Sequence, residues 1–158
     1  MARCANTGEA LERSGTSLNA DEQHETDYET LANFRYRLRL FLRFSEHAAR
    51  SEGLLPQQYQ LMLQVKGLPP GEHAHIAYLS ERLQIRHHSA VELIDRLAAK
   101  GFVLRQPDRA DRRRVFVELT AAGEQAVERL ARHHVRELQS SRELVRSLNA
   151  LVRKMDGD

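Results

Sequence analysis

IAYLSERLQIRHHSAVELIDRLAAKGFVLRQPDRADRRRVFVELTAAG, residues 76–123, is the stretch on which the reading of this chain turns. Ile76, Leu79 and Leu83 space one apolar face of a short helix, and Ala90, Val91, Ile94, Leu97 and Ala98 space the face of a second. Gln84-Ile85 leaves room only for a tight connection, and Gly101 supplies a C-terminal stop. A helix of about eight residues, a turn of three or four and a helix of about thirteen is the length pattern of a helix-turn-helix. By period alone, an ordinary pair of antiparallel helices with a polar face fits the same spacing. In a helix-turn-helix the second helix enters the major groove and its first turns meet the bases. Here those turns carry Arg86, His87, His88, Ser89 and Glu92, each able to hydrogen-bond a base edge or a phosphate.

Phe102-Val103-Leu104 and Val115-Phe116-Val117 with Leu119 are two β-prone runs, which predict a hairpin. Between them, residues 105–114 hold five arginines, Arg105, Arg109, Arg112, Arg113 and Arg114. An exposed turn so rich in arginine is poor core material, but beside a helix-turn-helix it can reach a narrow minor groove. Asp111 stands two residues before Arg113 and could hold its guanidinium in a bidentate pair. The bland alternative is a solvated turn whose charges pair locally.

The charge distribution agrees with a polyanion partner. The net charge is +2, yet residues 1–30 hold 7 acids against 2 bases, while Arg82–Arg114 holds 9 bases against 4 acids. Each phosphate neutralised by such a patch releases counterions.

Outward from the decisive stretch, residues 1–26 are polar, acidic and aperiodic, which predicts a loose tail. Leu31, Phe34, Leu38, Phe41, Ser45 and Ala48 recur at helical spacing, widened by Leu42 and Ala49, and predict a long helix ending near Gly53. Pro56 suits the first turn of a second helix through Tyr59, Met62 and Leu63 to about Lys66, stopped by Gly67-Leu68-Pro69-Pro70-Gly71. Thr120 reads as an N-cap for a helix carrying Ala126, Val127, Leu130, Val135 and Leu138. Ser140-Ser141 interrupts it before a last helix whose Leu144, Leu148, Leu151, Val152 and Met155 want a partner. The expected organisation is therefore a tail at 1–26, supporting and dimerising helices at 27–66, a winged helix-turn-helix at 72–119 and dimerising helices at 120–158. The fold class is mainly α with a small β-hairpin wing and a helical dimerisation stalk.

Leu79-Ser80-Glu81-Arg82-Leu83, Val91-Glu92-Leu93-Ile94-Asp95-Arg96-Leu97, Lys100-Gly101-Phe102-Val103, Asp108 to Arg113 and Leu119-Thr120-Ala121-Ala122-Gly123 together resemble the MarR family of bacterial transcriptional regulators. The resemblance spans about Leu31 to Leu151. It implies a two-fold dimer bound to a pseudo-palindromic operator in duplex DNA, commonly a repressor released by a small molecule. It also implies that Arg113 enters the minor groove, oriented by Asp111, with Arg109 and Arg112 beside it. Arg86-His87-His88 departs from the small hydroxyl or proline residues common there, so operator preference does not carry over. The effector would bind between stalk and winged domain, and Phe44, His47, Tyr59 and Met62 are the expected lining.

Other classes have weaker support. There is no phosphate-cradling glycine loop, no nucleophile with an evident base and no His-Glu-x-x-His, so an enzyme is not expected and no cofactor is implied. His73 and His75 share a face if extended, and Glu72 or Glu81 could join them on zinc; a metal-responsive regulator and a DNA-independent protein adaptor are the competing readings. Cys4 is the sole cysteine, far from any apparent reactive site. No apolar run reaches membrane-spanning length and no apolar signal stretch opens the chain, so a soluble, cytoplasmic protein is expected.

Overall fold

The computed structural model describes residues 28–108 and 115–155. Its elements are α1 (Tyr28–Ser51), α2 (Pro56–Lys66), β1 (Ala74–His75), α3 (Ile76–Arg82), α4 (His87–Ala99), β2 (Val103–Pro107), β3 (Val115–Leu119), α5 (Ala121–Ser140) and α6 (Arg142–Met155). The class is as expected, mainly helical with a small sheet.

Three helices end the same way. After α1, the Gly53 N–H donates to Arg50 O and the Leu54 N–H to Ala49 O; after α4, Gly101 donates to Ala98 O and Phe102 to Leu97 O. Both glycines sit at positive φ, +72° and +74°. These paired bonds are Schellman caps, which satisfy carbonyls that a helix end otherwise strands. The turn between α3 and α4 uses the same pair of bonds, Gln84 to Glu81 O and Ile85 to Ser80 O, with Gln84 at φ 53°. A glutamine there is strained relative to glycine, and its side-chain amide compensates by donating to Glu81 O at 2.7 Å.

The Leu-Thr-x-x-Gly segment has a packing reason. Thr120 Oγ1 accepts from the Gly123 N–H at 3.0 Å and donates to Gly101 O at 2.7 Å, so one hydroxyl caps α5 and anchors it to the end of α4. At Gly123 a Cβ would lie 2.1 Å from the Phe102 carbonyl oxygen. Only glycine lets α5 start against that backbone.

The core closes between α2, α3, α4, the sheet and the first half of α5, where Leu61, Met62, Leu79, Ile94, Leu97, Val103, Val117, Val127 and Leu130 are 0–1% exposed. Gln58 is buried among them because its Oε1 accepts the Leu55 N–H at 3.0 Å and lies 3.3 Å from Lys100 Nζ.

Two expectations need correction. The wing is not a hairpin alone: the sheet has three antiparallel strands in the order β1-β3-β2, with Ala74 opposite Val117 and His75 opposite Phe116. The stretch read for metal ligation is thus partly an edge strand, and His73 and His75 pack on the Phe116 ring with centroids 4.4 and 4.6 Å away. On α1, Leu42 does not widen the inward stripe; it is 46% exposed, while Ala49 is fully buried. A straight helix of 24 residues presents only its inward third to its neighbours.

The break at Ser141 lies where expected, and α6 turns back on α1, tied by Arg37 to Glu143 at 2.5 Å.

Candidate nucleic-acid interface

α3 and α4 form the helix-turn-helix. Ala90, Leu93, Ile94 and Leu97 bury one side of α4, which pushes Arg86, His87, His88 and Glu92 outward; all four are exposed, and Ser89 is half-buried. Arg86 occupies the N-cap position in extended geometry, and the first turn of α4 contains no acid. Unpaired N–H groups and the positive end of the helix dipole therefore face solvent with these side chains. Glu92 is partnered by Arg96 at 3.5 Å, one turn on, so the outward stripe alternates in charge.

The wing root is fastened to this helix. Arg105 Nη2 on β2 lies 2.7 Å from Asp95 Oδ1 and donates to Val91 O at 3.3 Å. Of the five wing arginines read as one cationic group, Arg105 is exposed but reaches across to α4 and holds β2 against it. The register Arg105 opposite Val117 and Pro107 opposite Val115 directs the strands toward the tip. The tip positions Arg109, Asp111, Arg112 and Arg113 lie outside the described residues, as do the acidic tail and Cys4.

A cleft of about 580 Å³ separates α3 and the start of α4 from β3, lined by His75, Ile76, Tyr78, Glu81, His87 and Val115 among others. His75 and Tyr78 were missed as interface candidates. The available signal was their position at the start of the first helix of the motif.

The residues expected to line an effector pocket are distributed differently from one another. Met62 is sealed in the core at 0% exposure, Tyr59 is 3% exposed, Phe44 is half-buried and His47 lies on the surface. Phe44 and Tyr59 are brought together by His134 of α5, which stacks on Tyr59 and meets the Phe44 ring at right angles. Burial pushes the Tyr59 phenol above its ordinary value and the His134 imidazole below. Among the described residues, no group of three or more His, Cys, Asp or Glu is placed to hold a metal ion, and no helix is long and apolar enough to cross a membrane.

Known proteins match this arrangement. The MarR family model matches residues 52–114, from just after α1 to just before β3. None of the curated proteins matches in sequence. The fold is similar to AbsC, a MarR family transcriptional regulator from Streptomyces coelicolor, with a TM-score of 0.62 at 19% identity over 85% of this chain and 97% of that one. It is also similar to MepR, a transcription regulator of the Staphylococcus aureus multidrug efflux pump MepA, at 0.67 and 18% identity over 82% and 96%. A MepR variant bound to an oligodeoxyribonucleotide matches at 0.61 and 20% identity over 84% and 98%. The matching family is one of transcriptional regulators, not of enzymes. By sequence the chain matches the MarR family model over residues 52–114, and by fold it is similar to solved transcriptional regulators over more than four-fifths of its length.

Proposed function

We propose that the protein is a sequence-specific regulator of transcription that binds double-stranded DNA as a two-fold homodimer in the cytoplasm. The observation that carries this reading is the exposed start of α4, where Arg86, His87 and His88 project around free helix N–H groups beside a wing root fixed by Arg105. In this reading Arg86, His87, His88, Ser89 and Glu92 meet the major groove, and Arg109, Arg112 and Arg113 meet phosphates or the adjacent minor groove, with Asp111 orienting Arg113. The binding of one MepR variant to an oligodeoxyribonucleotide supports the choice of partner.

Dimerisation is supported by the stalk. Val135, Leu138, Val145, Leu148 and Val152 are 38–51% exposed, and a groove of about 490 Å³ runs between α5 and α6 beside them. Two such faces cover each other in a symmetric pair and set two recognition helices about one DNA turn apart. The protein acts as a repressor, released when a small molecule binds near Phe44, His47, Tyr59 and Met62 and changes the separation of the recognition helices.

The test is a salt titration of binding to the DNA upstream of its own gene against a scrambled duplex. Salt-steep binding that favours the upstream sequence by about a thousandfold is expected of a specific regulator. Absence of binding to either duplex at low salt would overturn the reading in favour of a protein-binding adaptor.

A further inference from the structure

α5 starts against the sheet in the winged half and ends in the stalk, and between the two it packs on α1 and α2. His134 stands at this crossing, 8% exposed. Its Nδ1 is 2.9 Å from the Tyr59 hydroxyl on α2, and its ring stacks on Tyr59 with centroids 4.9 Å apart. From α1, the Phe41 and Phe44 rings meet it at 6.0 and 5.9 Å. Its Nε2 is buried with no hydrogen-bond partner.

A neutral imidazole tolerates this site. It can carry its proton on Nδ1, donate to the Tyr59 oxygen and leave only a bare lone pair on Nε2. A protonated ring carries an N–H on both nitrogens and brings a charge among aromatic rings, where the Leu130 and Ser45 carbonyls offset only part of the cost of burial. The stacked Tyr59 face offsets part of that cost.

We propose that His134 is a proton-operated interlock between the two halves: neutral, it holds α5 against α1 and α2; protonated, it loosens that contact and frees the winged half to turn against the stalk. The ionisable groups around it are few. α2 presents Tyr59, α5 presents the adjacent exposed His133, and from α1 the contacts are Phe41, Phe44 and Ser45, with the Glu52–Arg129 pair joining the end of α1 to α5 further along. Burial is the main cause that holds the imidazole below its ordinary value, His133 adds to it, and the Leu130 and Ser45 carbonyls oppose it. The packed junction is therefore at full strength above about pH 6.5 and weakens as pH falls below that.

The test compares the full-length protein with His134→Phe, which keeps the ring and cannot titrate. Hydrogen exchange of the α1 and α5 segments around residue 134, corrected for intrinsic rate, should accelerate about tenfold in the wild type between about pH 7.5 and about pH 5.5, and stay level in the variant. Equal responses in both proteins would overturn the interlock. If phenylalanine prevents folding, His134→Gln supplies an amide to Tyr59 without a titrating group. A second readout rests on the regulator reading. Across the same pH range at constant salt, wild-type affinity for the upstream duplex should fall relative to the variant, a ratio that cancels any pH dependence the two proteins share. Parallel profiles from two proteins that both bind would also overturn the interlock. An exchange difference that persists while neither protein binds any duplex would uphold the interlock and sink the regulator reading instead.

Discussion

The winged half and the stalk are built from the same helix-rich material and finish their surfaces in opposite ways. In the winged half, polar atoms serve the backbone: Thr120 ties α5 to the end of α4, Lys100 donates to Gly53 O at 2.8 Å, and both α3 and α4 end in paired caps. Most large apolar side chains there are enclosed, Leu104 at 50% exposure standing apart. In the stalk, α6 buries Ser147 against its neighbours and leaves Val145, Leu148 and Val152 nearly half exposed. One half completes its core within a single chain; the other carries an apolar face that a solitary chain leaves wet.

The sharpest way to break this comparison is Gly123→Ala. A methyl 2.1 Å from the Phe102 carbonyl oxygen must displace α5 from the winged core, and thermal or denaturant unfolding should show a loss of about 3 kcal/mol. A loss near zero would mean that the α5 junction is loose and the winged half less closed than described. The complementary experiment is Val145→Glu with Leu148→Glu in the stalk. Dimer dissociation measured by sedimentation should strengthen about a hundredfold, or about 2.7 kcal/mol, while the circular dichroism of the folded winged half persists. Unchanged dissociation would place the subunit contact elsewhere.

Smaller effects sharpen the picture of the winged half. Arg113→Ala should weaken duplex binding more than tenfold, or about 1.4 kcal/mol, on matched and unmatched sequences alike. An effect confined to the matched sequence would make it a base reader. Arg105→Ala should cost only about 0.5 kcal/mol of folding stability, because the Asp95 pair is partly solvated, yet weaken DNA binding severalfold by releasing the wing root. Recovery in the exchanged pair Arg105→Asp with Asp95→Arg would show that the ion pair is the tie. Last, Gln84→Gly relieves the positive φ of the turn but forfeits the side-chain bond to Glu81 O. A gain of about 0.5 kcal/mol is expected, and a loss would mean that the amide bond outweighs the backbone strain.

Much of the winged half was legible because its signals are local. The lengths of α3 and α4, the stop at Gly101, the cap at Thr120 and the break at Ser141 each depend on residues within one or two turns of each other. β1 was not legible: two residues, Ala74 and His75, become a strand only because β3 offers them an edge. Arg105 and Asp95 gave no sign of pairing, since ten positions separate them and a tight turn brings them together. Nor could the stripe on α1 reveal that Leu42 faces out, because apolar spacing marks a face without saying how wide the neighbouring helix is.

The candidate interface divides along the same line. The residue types of Arg86, His87 and His88 follow from the chain alone, as does the cationic run that follows them. Their outward direction depends on Ala90, Leu93, Ile94 and Leu97 finding a core. By itself the sequence determined where the helices start and stop and which segment is cationic, because hydrogen-bond caps, apolar periods and charge runs act between near neighbours. Only the tertiary structure decided that Tyr59 and His134, 75 positions apart, share one buried contact where the halves meet. Side chains that distant become partners through packing, and no local pattern encodes it.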